Sequence, residues 1–216
     1  MNKTLEIIKE VSHEDTSLKL LDLIKQNISN SSTASIGLSG GNTPKYLYEY
    51  LAKEPLDTVL KIWTVDDRHV TLDNKNSNQK MINDIFSDSK HKILEIAYYE
   101  DPSEWAKNYN DLVLSEINNF DIAILGVGND GHIASLFPNT TAEVSNTYGF
   151  IENEVNIISK WRMTVTFELL KNIQNVYLLI TGPTKKEIMK RIGTNDNLPV
   201  NKLINMREKT ILFTDL

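Results

Sequence analysis

The densest group of chemically capable residues lies in the segment ILGVGNDGHIASLFP, residues 124–138. Its glycines have the G-x-G-x-x-G spacing of a dinucleotide-binding loop, in which backbone amides hold a pyrophosphate. Asp130 inside that loop would repel a pyrophosphate, and Pro138 cuts short the helix that the loop must open. Acid–base chemistry fits better, because His132 can accept a proton near neutral pH while Asp130 orients its ring. The segment therefore favours a catalytic site over an NAD site.

A second glycine-rich segment, SGGNTPK at residues 39–45, has the properties of a phosphate-binding turn. It follows an apolar run and opens a predicted helix, so its backbone can approach an anion at the positive end of the helix dipole. A tight turn with a helix cap uses the same residue types, so the segment alone does not decide between the two. The residues expected to hold the anion are Ser39, Gly40, Gly41, Asn42 and Thr43.

Three further segments supply charges. The turn DDRHV at 66–70 contains Asp66 and Arg68. Charged turns of this kind are more often simply exposed to solvent, but this turn follows an apolar strand, which favours a role for both residues in the site. His69 in the same turn is expected to be a supporting or surface residue. Arg162 and Lys185 add cations for the anion, since a lysine in the first turn of a helix is unfavourable unless it serves an anion there. Lys186 is an alternative to Lys185, but the spacing from the preceding glycine favours Lys185.

All these segments follow apolar runs that alternate with helix-period segments along nearly the whole chain. This alternation predicts an α/β fold with a mostly parallel sheet flanked by helices on both faces, organised as one domain over residues 1–216. Ligands of such sheets bind beyond the carboxyl ends of the strands. The polar segment 139–160 is expected to be a surface loop or an extra hairpin over the site. Predicted strands cover 35–41, 60–65, 92–99, 121–126, 175–182 and 210–215, and predicted helices cover 43–53, 77–86, 101–117 and 183–192.

The amino-acid composition restricts the kinds of ligand and cofactor that the protein is expected to bind. The net charge of −6 argues against nonspecific nucleic-acid binding but allows a small anion held by a few local cations. The absence of cysteine excludes disulfides and thiolate catalysis, and the four histidines show no metal-site spacing, so no metal or organic cofactor is expected. The N-terminal segment lacks a signal-peptide core and no window is long enough to span a membrane, which favours a cytoplasmic protein without a membrane partner.

Over about residues 35–190, five segments resemble motifs of the 6-phosphogluconolactonases and occur in the same order. They are SGGNTPKYLYEYLA, the DDRHV to NSN block at 66–78, GVGNDGHIASLFP, RMTVTFELL and TGPTKKEI. The resemblance implies the Rossmann-like fold shared with glucosamine-6-phosphate deaminase and ribose-5-phosphate isomerase. In the deaminases the third motif resembles DGHIAFNEP, which has a catalytic glutamate at the position of Phe137. The deaminases also tend to carry tyrosine in place of Arg68. Both differences favour the lactonases. Two departures from the lactonase pattern are ISKW ahead of Arg162, where the family has a proline-rich segment, and Asn42 in place of serine.

The resemblance implies a carboxylic ester hydrolase that converts 6-phospho-D-glucono-1,5-lactone to 6-phospho-D-gluconate in the oxidative pentose phosphate pathway. His132 would be the general base, Asp130 would hold the imidazole or the sugar hydroxyls, and Arg68 would stabilise the oxyanion. The phosphate would bind to the turn at 39–43, Arg162 and Lys185, with Asp66 also contacting the substrate. The alternatives are a glucosamine-6-phosphate deaminase or isomerase and a non-catalytic sugar-phosphate-binding regulatory module. A small phosphosugar lactone is the expected partner, and the oligomeric state is left open.

Overall fold

The computed structural model describes residues 3–216, apart from the side chain of residue 156. Its strands are β1 (Thr4–Lys9), β2 (Thr33–Leu38), β3 (Val59–Thr64), β4 (Asp66–Arg68), β5 (Lys92–Ile93), β6 (Ile122–Gly126), β7 (Phe150–Ile157), β8 (Ser159–Val165), β9 (Asn175–Ile180) and β10 (Lys209–Thr214). Its helices are α1 (His13–Ile28), α2 (Lys45–Lys53), α3 (Asn78–Phe86), α4 (Pro102–Glu116), α5 (Phe167–Leu170), α6 (Lys186–Met189) and α7 (Pro199–Met206). Short 3₁₀ turns occupy Ala142–Val144 and Pro183–Lys185.

Within residues 3–216, seven strands form one parallel sheet in the order β1-β10-β9-β6-β2-β3-β5. The inner strands are apolar on both faces because helices cover both: α1, α2 and α3 pack on one face, and α4 to α7 pack on the other. The predicted α/β class, with a mostly parallel sheet flanked by helices on both faces, is therefore confirmed. No helix in this part of the chain combines the length and apolar character needed to cross a membrane.

The connections change direction between β2 and β6, which are adjacent in the sheet. From β2 the chain continues to β3 and β5 on one side, whereas from β6 it continues to β9 and β10 on the other. Neighbouring strands whose connections leave in opposite directions open a crevice beyond their carboxyl ends. The turns after β2 and β6 are the two glycine-rich segments of the sequence, so the topology brings both to this crevice.

A smaller antiparallel sheet, in the order β4-β8-β7, lies beside the crevice. Both expectations for the segment 139–160 hold in part. Residues 139–149 are irregular apart from one 3₁₀ turn, and β7 pairs with β8 as a hairpin. The tip of this hairpin contributes Ile157 and Ile158 to the wall of the crevice.

Several predicted element boundaries are wrong. The first strand is β1 rather than the run at 35, because β1 is an edge strand with charged, largely exposed side chains and lacks a buried apolar run. The strand predicted at 92–99 is reduced to β5, which pairs with only two residues of β3. The helix predicted at 183–192 is divided into a 3₁₀ turn and the four-residue α6. Pro44 is the N-cap of α2 rather than part of its first turn.

Candidate active site

A cavity of about 490 Å³ lies beyond the carboxyl ends of β2 and β6, a size suited to a small ligand. Asn42 does not line it, because its side chain is exposed to solvent while its carbonyl accepts a hydrogen bond from the N–H of Lys45 (3.3 Å). The other predicted site residues all line it, namely Ser39, Gly40, Gly41, Thr43, Asp66, Arg68, Asp130, His132, Arg162 and Lys185. The structure thus brings together side chains from five separate segments of the chain.

His132 and Asp130 form a hydrogen-bonded pair at the cavity. Nδ1 of His132 lies 2.6 Å from Oδ1 of Asp130, which also accepts a hydrogen bond from the backbone N–H of His132 (3.2 Å). Because a carboxylate only accepts, Nδ1 carries the proton and Nε2 of the neutral ring keeps its lone pair. Burial raises the pKa of Asp130, but the hydrogen bonds and the charge of His132 outweigh burial and hold that pKa below its ordinary value. Asp130 is therefore an ionised partner for the imidazole.

The imidazole is also fixed by close packing. The ring of Phe137 stacks on it with 4.1 Å between the ring centroids. On the loop before it, a Cβ added at Gly128 would lie 2.1 Å from Nδ1 of His132 and 2.6 Å from Oδ1 of Asp130. Only glycine leaves room for the pair at that position. No hydrogen bond within the described part of the chain engages Nε2, so this nitrogen is available to a ligand or water.

The glycine turn after β2 is held against the turn after β6. Ser39 Oγ accepts a hydrogen bond from the N–H of Gly126 (3.3 Å), and the hydroxyl of Tyr48 donates to the carbonyl of Ser39 (3.0 Å). A Cβ at Gly40 would lie 1.8 Å from Oδ1 of Asn78, so the backbone approaches α3 as only glycine can. Directly after the turn α2 begins without a side-chain cap. The turn and the helix N-terminus together offer donors suited to an anion.

Arg68 and Arg162 are cross-strand partners in the β4–β8 ladder. Arg162 is buried and its Nη2 donates to the backbone carbonyl of Ile157. The Nε atoms of both arginines are buried without a partner, and neither side chain forms an ion pair with a residue that the structure describes. Burial lowers the pKa of Arg162, with the charge of Asp66 opposing it. Two adjacent guanidinium groups with unused donors attract an anionic ligand.

Two aspartates of β4 tie together the elements around the cavity. Asp67 is buried and accepts hydrogen bonds from the hydroxyl of Ser77 (2.9 Å) and from two backbone N–H groups at the start of α3 (2.6 and 3.0 Å). Burial raises the pKa of Asp67 to about 6 in spite of these bonds. Asp66 accepts a hydrogen bond from the hydroxyl of Ser135 (2.6 Å), which ties β4 to the loop after His132. Asp67 thus fixes α3 to β4, and Asp66 fixes the loop after His132 to the same strand.

Lys185, and not Lys186, is the lysine of the cavity. Nζ of Lys185 donates to the carbonyl of Val127 (2.7 Å), which places the ammonium group beside the turn after β6. Burial lowers the pKa of Lys185, while the charge of Asp130 acts in the opposite direction. Lys186 is exposed and does not line the cavity. The geometry therefore agrees with the choice that the glycine spacing favoured.

The remaining wall consists of residues that sequence reasoning did not assign to the site. Most are apolar or held by hydrogen bonds to the backbone, so their residue types give no signal of a role in a site. They include Pro44, Asn78, Val127, Asn129, Ala134, Ser135, Phe137, Ile157 and Ile158. His69, expected to be a supporting or surface residue, lies outside the cavity with Nε2 2.8 Å from the carbonyl of Tyr99 and its ring stacked on Tyr98.

A parallel sheet whose crevice combines a glycine turn, clustered cations and a histidine–aspartate pair defines the class: an α/β protein with a strand-end site for a small anionic molecule. Within that class, the chain belongs to the glucosamine-6-phosphate isomerases/6-phosphogluconolactonase family, whose model matches residues 9–212.

Individual relatives agree with the family. The chain is 32% identical to the 6-phosphogluconolactonase of Synechocystis over 86% of this chain and 82% of the relative. It is 30% identical to the 6-phosphogluconolactonase of Thermotoga maritima over 99% of both chains. The crystal structure of the Thermotoga maritima 6-phosphogluconolactonase superposes with a TM-score of 0.84 at 26% identity, covering 98% of each chain. The solved structure of the Trypanosoma cruzi 6-phosphogluconolactonase gives a TM-score of 0.85 at 25% identity, covering 99% of this chain and 96% of the other.

Proposed function

We propose that the protein hydrolyses 6-phospho-D-glucono-1,5-lactone to 6-phospho-D-gluconate, the lactonase step of the oxidative pentose phosphate pathway. The observation that carries the proposal is one cavity with the His132–Asp130 pair and the cations Arg68, Arg162 and Lys185. The relatives named above are 6-phosphogluconolactonases. Among the described lining residues, three side chains are cationic and two are carboxylates, whereas the chain as a whole carries a net charge of −6. This local positive excess suits a phosphorylated substrate.

The phosphate binds between the turn at 39–43 and the cations. The N–H groups of the turn and the N-terminus of α2 supply fixed donors, and Arg162 supplies a buried guanidinium with an unused Nε. Lys185 adds a third source of positive charge. Binding the phosphate at this end fixes the substrate, so that the lactone carbonyl reaches His132 without a further loss of rotational freedom.

Hydrolysis then requires one base and one donor. Nε2 of His132 removes a proton from a water molecule as its oxygen bonds to the lactone carbonyl carbon, and Asp130 holds the resulting imidazolium through Nδ1. Arg68 stabilises the negative oxygen of the tetrahedral intermediate. The intermediate collapses by breaking the bond between that carbon and the ring oxygen, which receives the proton from Nε2. The product carboxylic acid ionises, and the imidazole returns to its neutral form.

The direct test is turnover of freshly generated 6-phosphogluconolactone by the purified protein, followed as acid release above the spontaneous rate. We expect a clear enzymatic rate that saturates with substrate. Ammonia release from glucosamine 6-phosphate without lactone turnover would indicate the deaminase activity instead. Binding of sugar phosphates with neither reaction would indicate a regulatory module. Phe137, stacked on His132 where the deaminases have a glutamate, favours the lactonase.

Gly128 offers a test of the imidazole position. The Cβ of Gly128→Ala would overlap the His132–Asp130 pair, so we expect kcat to fall about tenfold, because the base is displaced rather than removed. Steady-state kinetics measure this fall, and a thermal unfolding curve checks that the fold persists. In a His132→Ala background, Gly128→Ala should change kcat little, since both substitutions act on the same group. A full tenfold loss in that background would contradict the position assigned to the pair.

We also propose a cytoplasmic location and a small-molecule partner, without nucleic acid or membrane. These proposals rest on the composition and on the class of reaction. The single domain over residues 1–216 and the absence of a metal or organic cofactor likewise stay predictions.

A further inference from the structure

The N-terminal helix reaches the anion-binding turn through one histidine. Nε2 of His13, the first residue of α1, lies 2.6 Å from the backbone carbonyl oxygen of Thr43. Because that oxygen only accepts, Nε2 carries the proton and donates. The ring also packs edge-on against Tyr46 in α2, with 5.0 Å between the ring centroids. Thr43 lines the cavity whereas His13 does not, so the carbonyl is held from outside the site.

The direction of this carbonyl matters because of the residue that follows it. Pro44 has no N–H, so the peptide between Thr43 and Pro44 brings an acceptor to the turn and no donor. A carbonyl oxygen turned into the cavity would repel a bound anion, at the place where the turn and the N-terminus of α2 offer positive partial charge. The hydrogen bond from His13 keeps this oxygen on the side of α1. The turn then presents donors to the cavity.

His13 is itself held by a rigid helix. Ser12 caps α1 by accepting a hydrogen bond from the N–H of Asp15 (3.1 Å), and the hydroxyl of Ser17 donates to the carbonyl of His13 (2.9 Å). The imidazole therefore projects from a fixed helical turn rather than from a loop. A side chain fixed in this way can hold the turn that it contacts in a defined position.

We propose that His13 is a positioning residue for phosphate binding, which acts by holding the Thr43 carbonyl away from the bound phosphate. The proposal rests on the proposed function in taking the phosphate group of the substrate as the ligand of this turn. It gives α1, which precedes the glycine-rich segments, a part in substrate binding. His13 touches neither the reacting carbonyl carbon nor the attacking water.

The test compares His13→Ala with His13→Gln. Loss of the hydrogen bond in His13→Ala should raise both KM for the phospholactone and the dissociation constant for inorganic phosphate about fivefold, with kcat changed less than twofold. His13→Gln should restore most of the affinity, because its Nε2 donor has nearly the same reach along the side chain. Titration calorimetry with inorganic phosphate measures binding, and steady-state kinetics separate KM from kcat.

Thr58→Val is the control for stability. Its hydroxyl donates to the carbonyls of Ile28 (3.0 Å) and Ser31 (2.7 Å) at the opposite end of α1, so its loss should lower the thermal midpoint but keep the hydrogen bond to Thr43 and leave phosphate binding unchanged. Unchanged phosphate affinity in His13→Ala would overturn the proposal, as would an equal loss in Thr58→Val or a glutamine variant no better than alanine. Since calorimetry needs no turnover, a His13-dependent affinity in a protein without lactonase activity would refute only the proposed function.

Discussion

Replacing His132 with alanine is expected to lower kcat for lactone hydrolysis by at least ~10²-fold, with KM changed only a few-fold. In the proposed mechanism the imidazole supplies the base for water and then the acid for the ring oxygen, and its Nδ1 is hydrogen-bonded to Asp130 at 2.6 Å. The proposed phosphate contacts lie on other segments, so substrate binding should survive. Asp130→Asn should lower kcat by a comparable factor, because the carboxamide can donate to Nδ1, which moves the ring proton to Nε2 and removes the lone pair that would accept from water.

His91→Ala is the control for this experiment. His91 is half-buried away from the cavity, where its Nδ1 accepts a hydrogen bond from the N–H of Leu60 (3.2 Å). Its removal should lower stability without lowering kcat. Rates are compared after subtraction of spontaneous hydrolysis, which becomes significant for the slow variant. Full activity in His132→Ala would show that another group activates the water.

Arg162→Met is expected to lower kcat/KM about 10²-fold, chiefly through KM, because the proposed charge-assisted hydrogen bond to the phosphate is lost. Methionine retains much of the length and apolar contact of the arginine side chain. The fold should tolerate the change, since Arg162 is a buried cation without an ion pair among the described residues, and its removal relieves a desolvation cost. Kinetics and chemical denaturation of the same preparation measure both effects.

The control for charge alone is Lys186→Ala. Lys186 carries the same charge and lies one residue beyond Lys185, but its side chain is exposed and outside the cavity. Its loss should leave KM within twofold. If Arg162→Met lowers stability strongly while KM stays normal, Arg162 is a structural residue, and the phosphate binds through the glycine turn and Lys185.

The local chemistry of this protein could be predicted from the sequence with some success. Gly128, Asp130 and His132 lie within five residues, so their proximity follows from the chain itself. The α/β class follows equally directly, because buried parallel strands such as β6 and β9 must be apolar on both faces. The edge strand β1 escaped prediction for the converse reason: an edge strand in contact with solvent needs no apolar run.

Contacts between distant segments could not be predicted in this way. The hydrogen bond from His13 to Thr43 spans 30 residues, and the link from Asp66 to Ser135 spans 69. Neither pair has residue types that point to the other, since a histidine can donate to any carbonyl and a serine to any carboxylate. The aromatic contact of Phe137 with His132 depends on the turn between them, which the positive φ of Ala134 (49°) shapes.

The sequence by itself determined which residues can do chemistry, and it placed them after the strands of a parallel sheet. The tertiary structure alone decided that Arg68 and Arg162 are cross-strand neighbours and that the ammonium group of Lys185 donates to the carbonyl of Val127. It also directed Asn42 away from the cavity and made the tip of the β7–β8 hairpin a wall. The physical reason is that residue type and local periodicity are properties of short segments, whereas the direction of a side chain depends on strand order, register and the packing of segments far apart in the chain.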